Sequence, residues 1–298
     1  MRHIISIRDM DRECIDGLIA QARRFQSGNY PIDQLDGKIL ALLFFEPSTR
    51  TRMSFEAAMA RLGGSSISVG SVEACSIAKG ETLADTIRVV SGYADAIVLR
   101  HPKEGAARLA SEFATVPVIN AGDGAGQHPS QTLLDLYTIR QSMPIDGISV
   151  GLVGDLRYGR TAHSLAYALS LYHARLHTIT PKGLELPEAL VSELWEADIE
   201  IIGHETLEEV IKDLDVLYVT RLQRERFPDT ASYFNVSSSY RITPELLTTA
   251  KDHLIVLHPL PRVDEIDPAV DRLPYARYFE QSQNGIPVRM AMLVDVMT

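Results

Sequence analysis

Short apolar runs and amphipathic stretches alternate along the chain. Apolar runs bounded by polar residues predict buried strands, and apolar positions three and four residues apart predict helices. The predicted strands span 39–45, 66–69, 96–99, 116–119, 148–153, 176–179, 199–202, 216–219 and 254–257. The predicted helices span 9–28, 51–62, 82–93, 104–113, 130–141, 161–171, 187–195, 207–212, 244–250 and 287–297. This alternation is typical of parallel sheets with helices on both faces.

The alternating series is interrupted once, at Pro144-Ile145-Asp146-Gly147. A chain of 298 residues is long enough for two domains of ordinary size. We therefore predict an α/β protein with two doubly wound parallel-sheet domains and the active site in the cleft between them. The predicted domains are 1–145, onto which a C-terminal helix at about 286–298 packs back, and 146–285.

The end of the strand 39–45 has the features of an anion site. The residues that follow are Glu46-Pro47-Ser48-Thr49-Arg50-Thr51-Arg52. The first N–H groups of a helix are unpaired and favour a bound anion, and arginine forks suit phosphate. An ordinary N-cap with solvated arginines explains this stretch equally well. The choice between an anion site and a capped turn therefore depends on the rest of the chain.

Polar residues also follow five other predicted strands. The segments are Arg100-His101-Pro102, Asn120 with His128-Pro129-Ser130-Gln131, Gly154-Asp155 with Arg160, Thr220-Arg221-Leu222-Gln223, and His258-Pro259-Leu260-Pro261-Arg262. Ligands of doubly wound domains bind at the carboxyl ends of the strands. A single arginine there is often structural or solvated, whereas polar residues at this many strand ends favour a ligand site.

The chemistry of these segments differs between the two predicted domains. The first offers the phosphate cradle, and the second offers Arg160 and Arg221, which suit the two carboxylates of a dicarboxylate. This pairing favours transfer of a group between a phosphate ligand and a dianionic acid, with domain closure to exclude water. The stretch Gly151-Leu152-Val153-Gly154-Asp155 lacks the complete glycine fingerprint of a dinucleotide site.

Composition narrows the possible partners. Hydrophobic content of 45%, charged content of 23% and a formal net charge of −10 indicate a soluble globular protein and argue against a nucleic-acid surface. Cys14 and Cys75 belong to no C-x-x-C pair, so we expect neither a zinc cluster nor a disulfide framework. No apolar run approaches the ~18 residues that a membrane helix needs, and residues 1–20 are too charged for a secretory signal. We expect a cytoplasmic protein with no cofactor, metal, nucleic-acid or membrane partner.

Several of these motifs together resemble the aspartate/ornithine carbamoyltransferase family. They are Ser48-Thr49-Arg50-Thr51-Arg52, Arg100-His101-Pro102, His128-Pro129-x-Gln131 and His258-Pro259-Leu260-Pro261-Arg262, and the resemblance runs nearly end to end. Members that use ornithine typically have a cysteine at the position of Pro259 and a Ser-Met-Gly motif, both of which this chain lacks. Arg160 and the pair Arg221-x-Gln223 match the members that use aspartate.

The resemblance implies a reaction. The chain would transfer the carbamoyl group of carbamoyl phosphate to the amine of L-aspartate, giving N-carbamoyl-L-aspartate and phosphate, an early step of de novo pyrimidine (UMP) biosynthesis. No side chain is an obvious dedicated base, and the departing phosphate is a plausible proton acceptor. We expect sequential transfer without a covalent enzyme intermediate. Two alternatives remain open: the enzyme uses a different amine acceptor, or the chain is a catalytically inactive paralogue.

The resemblance also implies roles for the matching residues. The phosphate would bind Ser48, Thr49, Arg50 and Thr51. The catalytic residues Thr51, Arg100 and His128 would polarise the carbamoyl carbonyl oxygen. Gln131 and the backbone carbonyls of Leu260 and Pro261 would bind the carbamoyl NH2 group. The aspartate carboxylates would bind Lys79, Arg160, Arg221 and Gln223.

A further implication concerns assembly. Ser76 and Lys79 match a loop that in this family reaches into the active site of the neighbouring subunit, although Ala78 stands where well-known members often carry a second lysine. The resemblance therefore implies a homotrimer with shared active sites. Some family members also join a zinc-containing regulatory subunit, in which case the metal would lie on that partner.

Overall fold

The computed structural model describes residues 2–28, 30–69, 80–222 and 239–298. By its internal contacts the chain divides into two compact units, one formed by Met1–Tyr137 with Asn284–Thr298 and the other by Thr138–Gln283. The sequence places the division somewhat later, at 145/146, and that boundary stays a prediction. The predicted site residues Ser76, Lys79 and Gln223 lie outside the described residues.

The first unit contains a parallel sheet of strands β1 (Ile39–Phe44), β2 (Ser65–Ser68), β3 (Ala96–His101) and β4 (Val118–Asp123), in the order β2-β1-β3-β4. Its helices are α1 (Arg12–Gln26), α2 (Thr49–Arg61), α3 (Leu83–Val90), α4 (Ala106–Phe113) and most of α5 (Pro129–Ser142). The register pairs Phe44 with Arg100, and Phe45 N–H donates to the carbonyl of Arg100 at 2.8 Å. The end of β1 and the start of α2 therefore lie beside Arg100.

The second unit contains a parallel sheet of strands β5 (Ser149–Val153), β6 (Arg175–Ile179), β7 (Ile201–His204), β8 (Val216–Val219) and β9 (Ile255–Leu257), in the order β7-β6-β5-β8-β9. Helices α6 (Arg160–Ser170) and α7 (Glu188–Glu196) follow β5 and β6. Val153 pairs with Val219, so β5 and β8 end at the same level. The predicted fold class of two parallel-sheet α/β domains is confirmed.

Three predicted helices differ in the structure. The stretches 207–212 and 244–250 contain only the short 3-10 turns Ile211–Asp213 and Leu246–Thr249. The C-terminal helix spans Tyr278–Met297, so it begins well before Pro287, which lies inside it. An interior proline removes one helical N–H, and the apolar stretch after Pro287 is long enough to read as a helix by itself. None of the helices in the described ranges is both long and apolar enough to cross a membrane.

One aspartate in each unit holds the start of the first strand of its sheet. Asp95, just before β3, accepts the N–H of Ile39 at 2.8 Å. Asp215, just before β8, accepts from Ser149 N–H at 2.8 Å, Lys251 Nζ at 2.7 Å and His253 Nε2 at 2.8 Å. These contacts lie at the amino ends of the strands, opposite to the carboxyl ends where ligands are expected, and their role is structural.

We expect Asp215→Asn to destabilise the protein by about 2 kcal/mol near neutral pH, because hydrogen bonds to a charged group contribute about this much. Burial raises the pKa of Asp215, but the hydrogen bonds from Lys251, Ser149 and His253 outweigh it and hold the pKa below its usual value. The stabilisation is therefore complete above the ordinary pKa of about 4 and is lost as the pH falls through the lowered one. Thermal unfolding of both proteins from about pH 5 down to about pH 2 should show the two stabilities converging. A difference in stability between the two proteins that stayed constant with pH would contradict this account.

Candidate active site

The predicted phosphate cradle lies at the start of α2. Ser48 is the N-cap residue, in an extended conformation with φ −158° and ψ 91°, and its carbonyl accepts from Arg52 N–H at 3.2 Å. Its hydroxyl makes no capping hydrogen bond to the helix. Thr51 is only 7% exposed, whereas Thr49 lies at the surface. The uncapped N–H groups of this first turn thus remain available to an anion, which favours the anion site over the ordinary capped turn.

The two arginines of this turn differ in their surroundings. Arg52 Nε donates to Glu56 Oε1 at 3.0 Å, one helical turn along α2. Arg50 lies at the surface and has no ion-pair partner among the described residues. Partial desolvation lowers the pKa of Arg50 from its very high ordinary value, and an arginine remains a cation at neutral pH. Arg50 is therefore the cation available to a ligand at this helix start.

Arg100 is fixed at the end of β3, beside the cradle. Its side chain is 11% exposed; Nη1 donates to the carbonyl of Ala121 at 3.1 Å and Nη2 to Glu46 Oε1 at 2.8 Å. The carbonyl belongs to the neighbouring strand β4, and the carboxylate follows β1. The guanidinium thus lies across the carboxyl ends of three adjacent strands. The resemblance suggests a pair of Glu46 with Arg226, which lies outside the described residues, and no sequence pattern indicates the contact of Glu46 with Arg100, 54 positions away.

His128 and Gln131 lie where α5 begins. The His128 carbonyl accepts from Gln131 N–H at 2.9 Å, and its buried ring lies 3.3 Å from Ser130 Oγ through Nδ1. Gln131 Nε2 donates to Asp135 Oδ1 at 2.8 Å. The preceding loop is held by Asn120, whose side chain donates to Asp123 Oδ1 at 3.0 Å. Both predicted ligand residues are therefore placed by contacts within the first unit.

In the second unit, Arg160 is the first residue of α6 and Arg221 follows β8. Between the strands, Thr220 donates to the carbonyl of Val153 through both N–H and Oγ1, each at 2.8 Å. Both arginines therefore lie at the carboxyl edge of the second sheet, as predicted. Asp155 lies at the same edge, almost completely buried; Oδ1 accepts from Tyr158 N–H at 3.1 Å, and Oδ2 is enclosed without a donor among the described residues.

The turn after β9 carries Leu260 and Pro261, joined by a cis peptide bond. His258, 2% exposed, accepts the N–H of Leu260 at its Nδ1 (2.8 Å) and donates from Nε2 to Glu265 Oε1 (2.7 Å). Glu265 Oε2 also accepts the N–H of Val263 at 2.9 Å. Burial raises the pKa of Glu265, but the hydrogen bonds from His258 and from the Val263 N–H outweigh it and keep the pKa below its usual value. A buried His–Glu pair therefore shapes the turn whose carbonyls the resemblance assigns to the ligand.

The structure thus gathers the predicted residues at two sheet edges. Those of the first unit, Ser48 to Thr51, Arg100, His128 and Gln131, follow β1, β3 and β4, and those of the second, Arg160, Arg221, Leu260 and Pro261, follow β5, β8 and β9. Within the described ranges, no group of three or more histidine, cysteine, aspartate or glutamate side chains is placed to hold a metal ion. The chemistry on offer is anion binding and charge stabilisation by arginines, hydroxyls and helix N–H groups.

Comparison with known proteins matches both halves of the chain to domains of one family. Residues 2–141 match the family model described as aspartate/ornithine carbamoyltransferase, carbamoyl-P binding domain, and residues 146–296 match its Asp/Orn binding domain. The aspartate carbamoyltransferase catalytic subunit of Methanosphaerula palustris is 75% identical over 99% of both chains. That of Archaeoglobus fulgidus is 60% identical over 100% of this chain and 99% of its own.

Solved structures similar to this chain come from the same family. The catalytic subunit of M. jannaschii aspartate transcarbamoylase superimposes with a TM-score of 0.94 at 54% identity, covering 100% of this chain and 98% of that one. The aspartate transcarbamoylase of Trypanosoma cruzi in complex with carbamoyl phosphate and aspartate gives 0.93 at 40% identity, over 100% and 96%. With both domain models matched and with relatives 75% and 60% identical along nearly the whole chain, the chain belongs to the aspartate/ornithine carbamoyltransferase family.

Proposed function

We propose that this chain transfers the carbamoyl group of carbamoyl phosphate to the amine of L-aspartate, releasing N-carbamoyl-L-aspartate and phosphate, as a step of pyrimidine synthesis in the cytoplasm. The observation that carries the proposal is the pair of cationic sites: an uncapped helix start with Arg50 in one unit, and Arg160 with Arg221 at one sheet edge in the other. The first suits a phosphate and the second a dicarboxylate. The T. cruzi relative, whose complex contains both substrates, supports this pairing.

Catalysis in this proposal depends on positioning and charge. The amine nitrogen attacks the carbonyl carbon, the bond from that carbon to the phosphate oxygen breaks, and the amine proton passes to the departing phosphate. Thr51, Arg100 and His128 stabilise the negative charge that develops on the carbonyl oxygen. One such donor is typically worth about 3 kcal/mol, around a hundredfold in rate. No covalent enzyme intermediate forms, and trapping a carbamoyl-enzyme would contradict this sequence of steps.

The proposal extends to a homotrimer in which Ser76 and Lys79 of one subunit complete the site of the next, with Lys79 and Gln223 assisting the two arginines on aspartate. Native mass spectrometry tests this assembly. A trimer would support the proposal and a monomer with full activity would refute it. Co-expression with a zinc-containing regulatory subunit, followed by the same measurement, shows whether a larger assembly forms.

The reaction itself is tested by supplying carbamoyl phosphate with aspartate and, separately, with ornithine. We expect phosphate release and N-carbamoyl-L-aspartate with the first acceptor and negligible citrulline with the second. Citrulline as the main product would point to the ornithine branch of the family. If neither acceptor supports phosphate release, the proposal fails and an inactive binding subunit becomes the better account.

Replacing Arg221 with leucine should raise the KM for aspartate by about tenfold to a hundredfold, since hydrogen bonds to a charged group contribute about 1.5–3 kcal/mol. The affinity for carbamoyl phosphate, measured by calorimetry, should stay unchanged. Arg157→Leu is the matched control, because Arg157 is an exposed arginine near the same sheet edge whose one hydrogen bond to a described residue goes to the carbonyl of Gly183, at 3.3 Å. Equal effects of the two substitutions on the KM would show that general charge, and not Arg221, determines aspartate binding.

A further inference from the structure

Gln131 and Asp135 lie one helical turn apart on α5, both enclosed in the first unit. Gln131 Nε2 donates to Asp135 Oδ1 at 2.8 Å, and the Asp135 side chain is completely buried. The backbone N–H of Gln131 is used as well, in its bond to the His128 carbonyl. These contacts use one hydrogen of the Gln131 Nε2 group and leave its carbonyl oxygen, Oε1, as the side-chain acceptor for a ligand.

A buried cation interacts electrostatically with Asp135. Arg289, on the C-terminal helix, is 3% exposed and packs over the ring of Phe55, with 5.1 Å from Cζ to the ring centroid. Burial lowers the pKa of Arg289 to about 10, and the charge of Asp135 acts against this lowering. Arg289 is therefore still a cation at neutral pH, and the carboxylate of Asp135 balances its charge.

The charge state of Asp135 determines which way the Gln131 amide points. An ionised carboxylate can only accept hydrogen bonds, so the amide must turn its NH2 group toward Asp135. A glutamine without this contact could present either its NH2 group or its carbonyl to the ligand. With the contact, Gln131 presents its carbonyl oxygen to the ligand. This acceptor pairs with an N–H donor, whereas a methyl group in the same place leaves it without a hydrogen-bond partner.

We propose that Asp135 is a positioning residue that fixes the Gln131 amide, so that the site selects the amino group of carbamoyl phosphate over the methyl group of acetyl phosphate. The two compounds share the phosphate and the carbonyl and differ only at this group. The inference rests on the proposed function, because it concerns how the same ligand is recognised. It assigns to the buried Asp135–Arg289 pair a role in specificity in addition to its role in stability.

The test compares the dissociation constants of carbamoyl phosphate, acetyl phosphate and inorganic phosphate for the wild-type enzyme and Asp135→Asn. The substituted amide can donate as well as accept, so Gln131 is no longer held in one orientation. We expect the preference for carbamoyl over acetyl phosphate to fall about tenfold or more, since an unpaired buried polar group costs this much. The affinity for inorganic phosphate should change less than twofold, whereas a general structural defect would weaken all three ligands alike.

Further variants make the test specific. In a Gln131→Met background, Asp135→Asn should leave the preference unchanged, because no amide remains to be positioned. Asp95→Asn is the matched control: it removes the charge of another carboxylate in the same unit, one that binds the N–H of Ile39 at the amino end of the sheet, and should lower stability without altering the preference. If Asp135→Asn fails to fold, adding Arg289→Met removes the uncompensated cation and the same measurements apply.

The outcomes separate this inference from the proposed function. A wild-type enzyme that prefers carbamoyl phosphate, together with an Asp135→Asn variant that keeps the same preference, would overturn the inference and leave the proposed function standing. A further loss of preference when Asp135→Asn is added to Gln131→Met would also overturn it. A wild-type enzyme that does not bind carbamoyl phosphate would overturn both.

Discussion

Arg50→Ala should reduce turnover about a thousandfold, the upper end of the effect of removing one donor from a developing charge. Arg50 stands at the uncapped start of α2 and has no carboxylate partner among the described residues. Its charge is therefore available both to bind the phosphate and to stabilise it as it leaves. The measurement is the initial rate of N-carbamoyl-L-aspartate formation at saturating concentrations of both substrates.

Arg52→Ala is the control for this experiment. It removes the same charge two residues further along the same turn, but the Arg52 side chain donates to Glu56. An exposed i,i+4 pair contributes only about 0.3–0.5 kcal/mol, so we expect near-normal turnover and a small loss of stability. Circular dichroism and thermal unfolding should show that both variants fold. Near-normal turnover of Arg50→Ala, or equal losses in both variants, would refute the assignment of Arg50 to the phosphate.

The strand, turn and helix of the proposed phosphate cradle were predictable because all of their signals are local. The strand 39–45, the hydroxyls of Ser48 to Thr51 and the helix after them lie within one short stretch, and the structure has β1 and α2 at these positions. The strand ends of the second unit were predictable for the same reason. What the sequence left open was whether Ser48 caps the helix and which of the two arginines has a partner, since both depend on side-chain orientation.

The supporting contacts were not predictable, because they join residues far apart in the sequence. Glu46 contacts Arg100, and Asp135 balances Arg289 across more than half of the chain. The start of the C-terminal helix was missed for a related reason. Residues 278–286 carry no apolar periodicity of their own, yet Gln281 is buried and accepts the N–H of His258 at 2.8 Å. Tertiary contacts of polar residues thus extend this helix to the amino side of Pro287.

The predicted helices at 207–212 and 244–250 show the opposite error. Each has apolar residues at helical spacing, but the structure forms only one tight turn in each place. Short segments gain little from helical hydrogen bonds, because nucleation costs several residues of conformational freedom. Leu207, Ile211 and Leu247 are buried in the core of the second unit all the same. The sequence therefore predicted which residues are buried there, but not the backbone that carries them.

His258→Phe should lower the free energy of unfolding by about 3 kcal/mol, because two buried partners lose their contact at once. Phenylalanine keeps the ring shape, but it neither donates to Glu265 nor accepts the N–H of Leu260. Glu265 would remain as a buried carboxylate without its imidazole partner. Since the Leu260–Pro261 turn loses the contact that shapes it, the affinity for carbamoyl phosphate should fall as well. Denaturant unfolding and calorimetric titration measure the two effects separately.

His253→Phe makes the same substitution in a surface pair of the same unit. His253 contacts Asp215 at 2.8 Å but is 59% exposed, and Asp215 keeps its contacts with Ser149 and Lys251. We expect a loss of at most about 1 kcal/mol and unchanged ligand affinity. Adding Glu265→Gln to His258→Phe should restore part of the lost stability, because it removes the uncompensated buried charge. If His258→Phe lowers the free energy of unfolding no more than His253→Phe does, the buried His258–Glu265 pair contributes no more to stability than an exposed pair. The turn must then be held by its backbone alone.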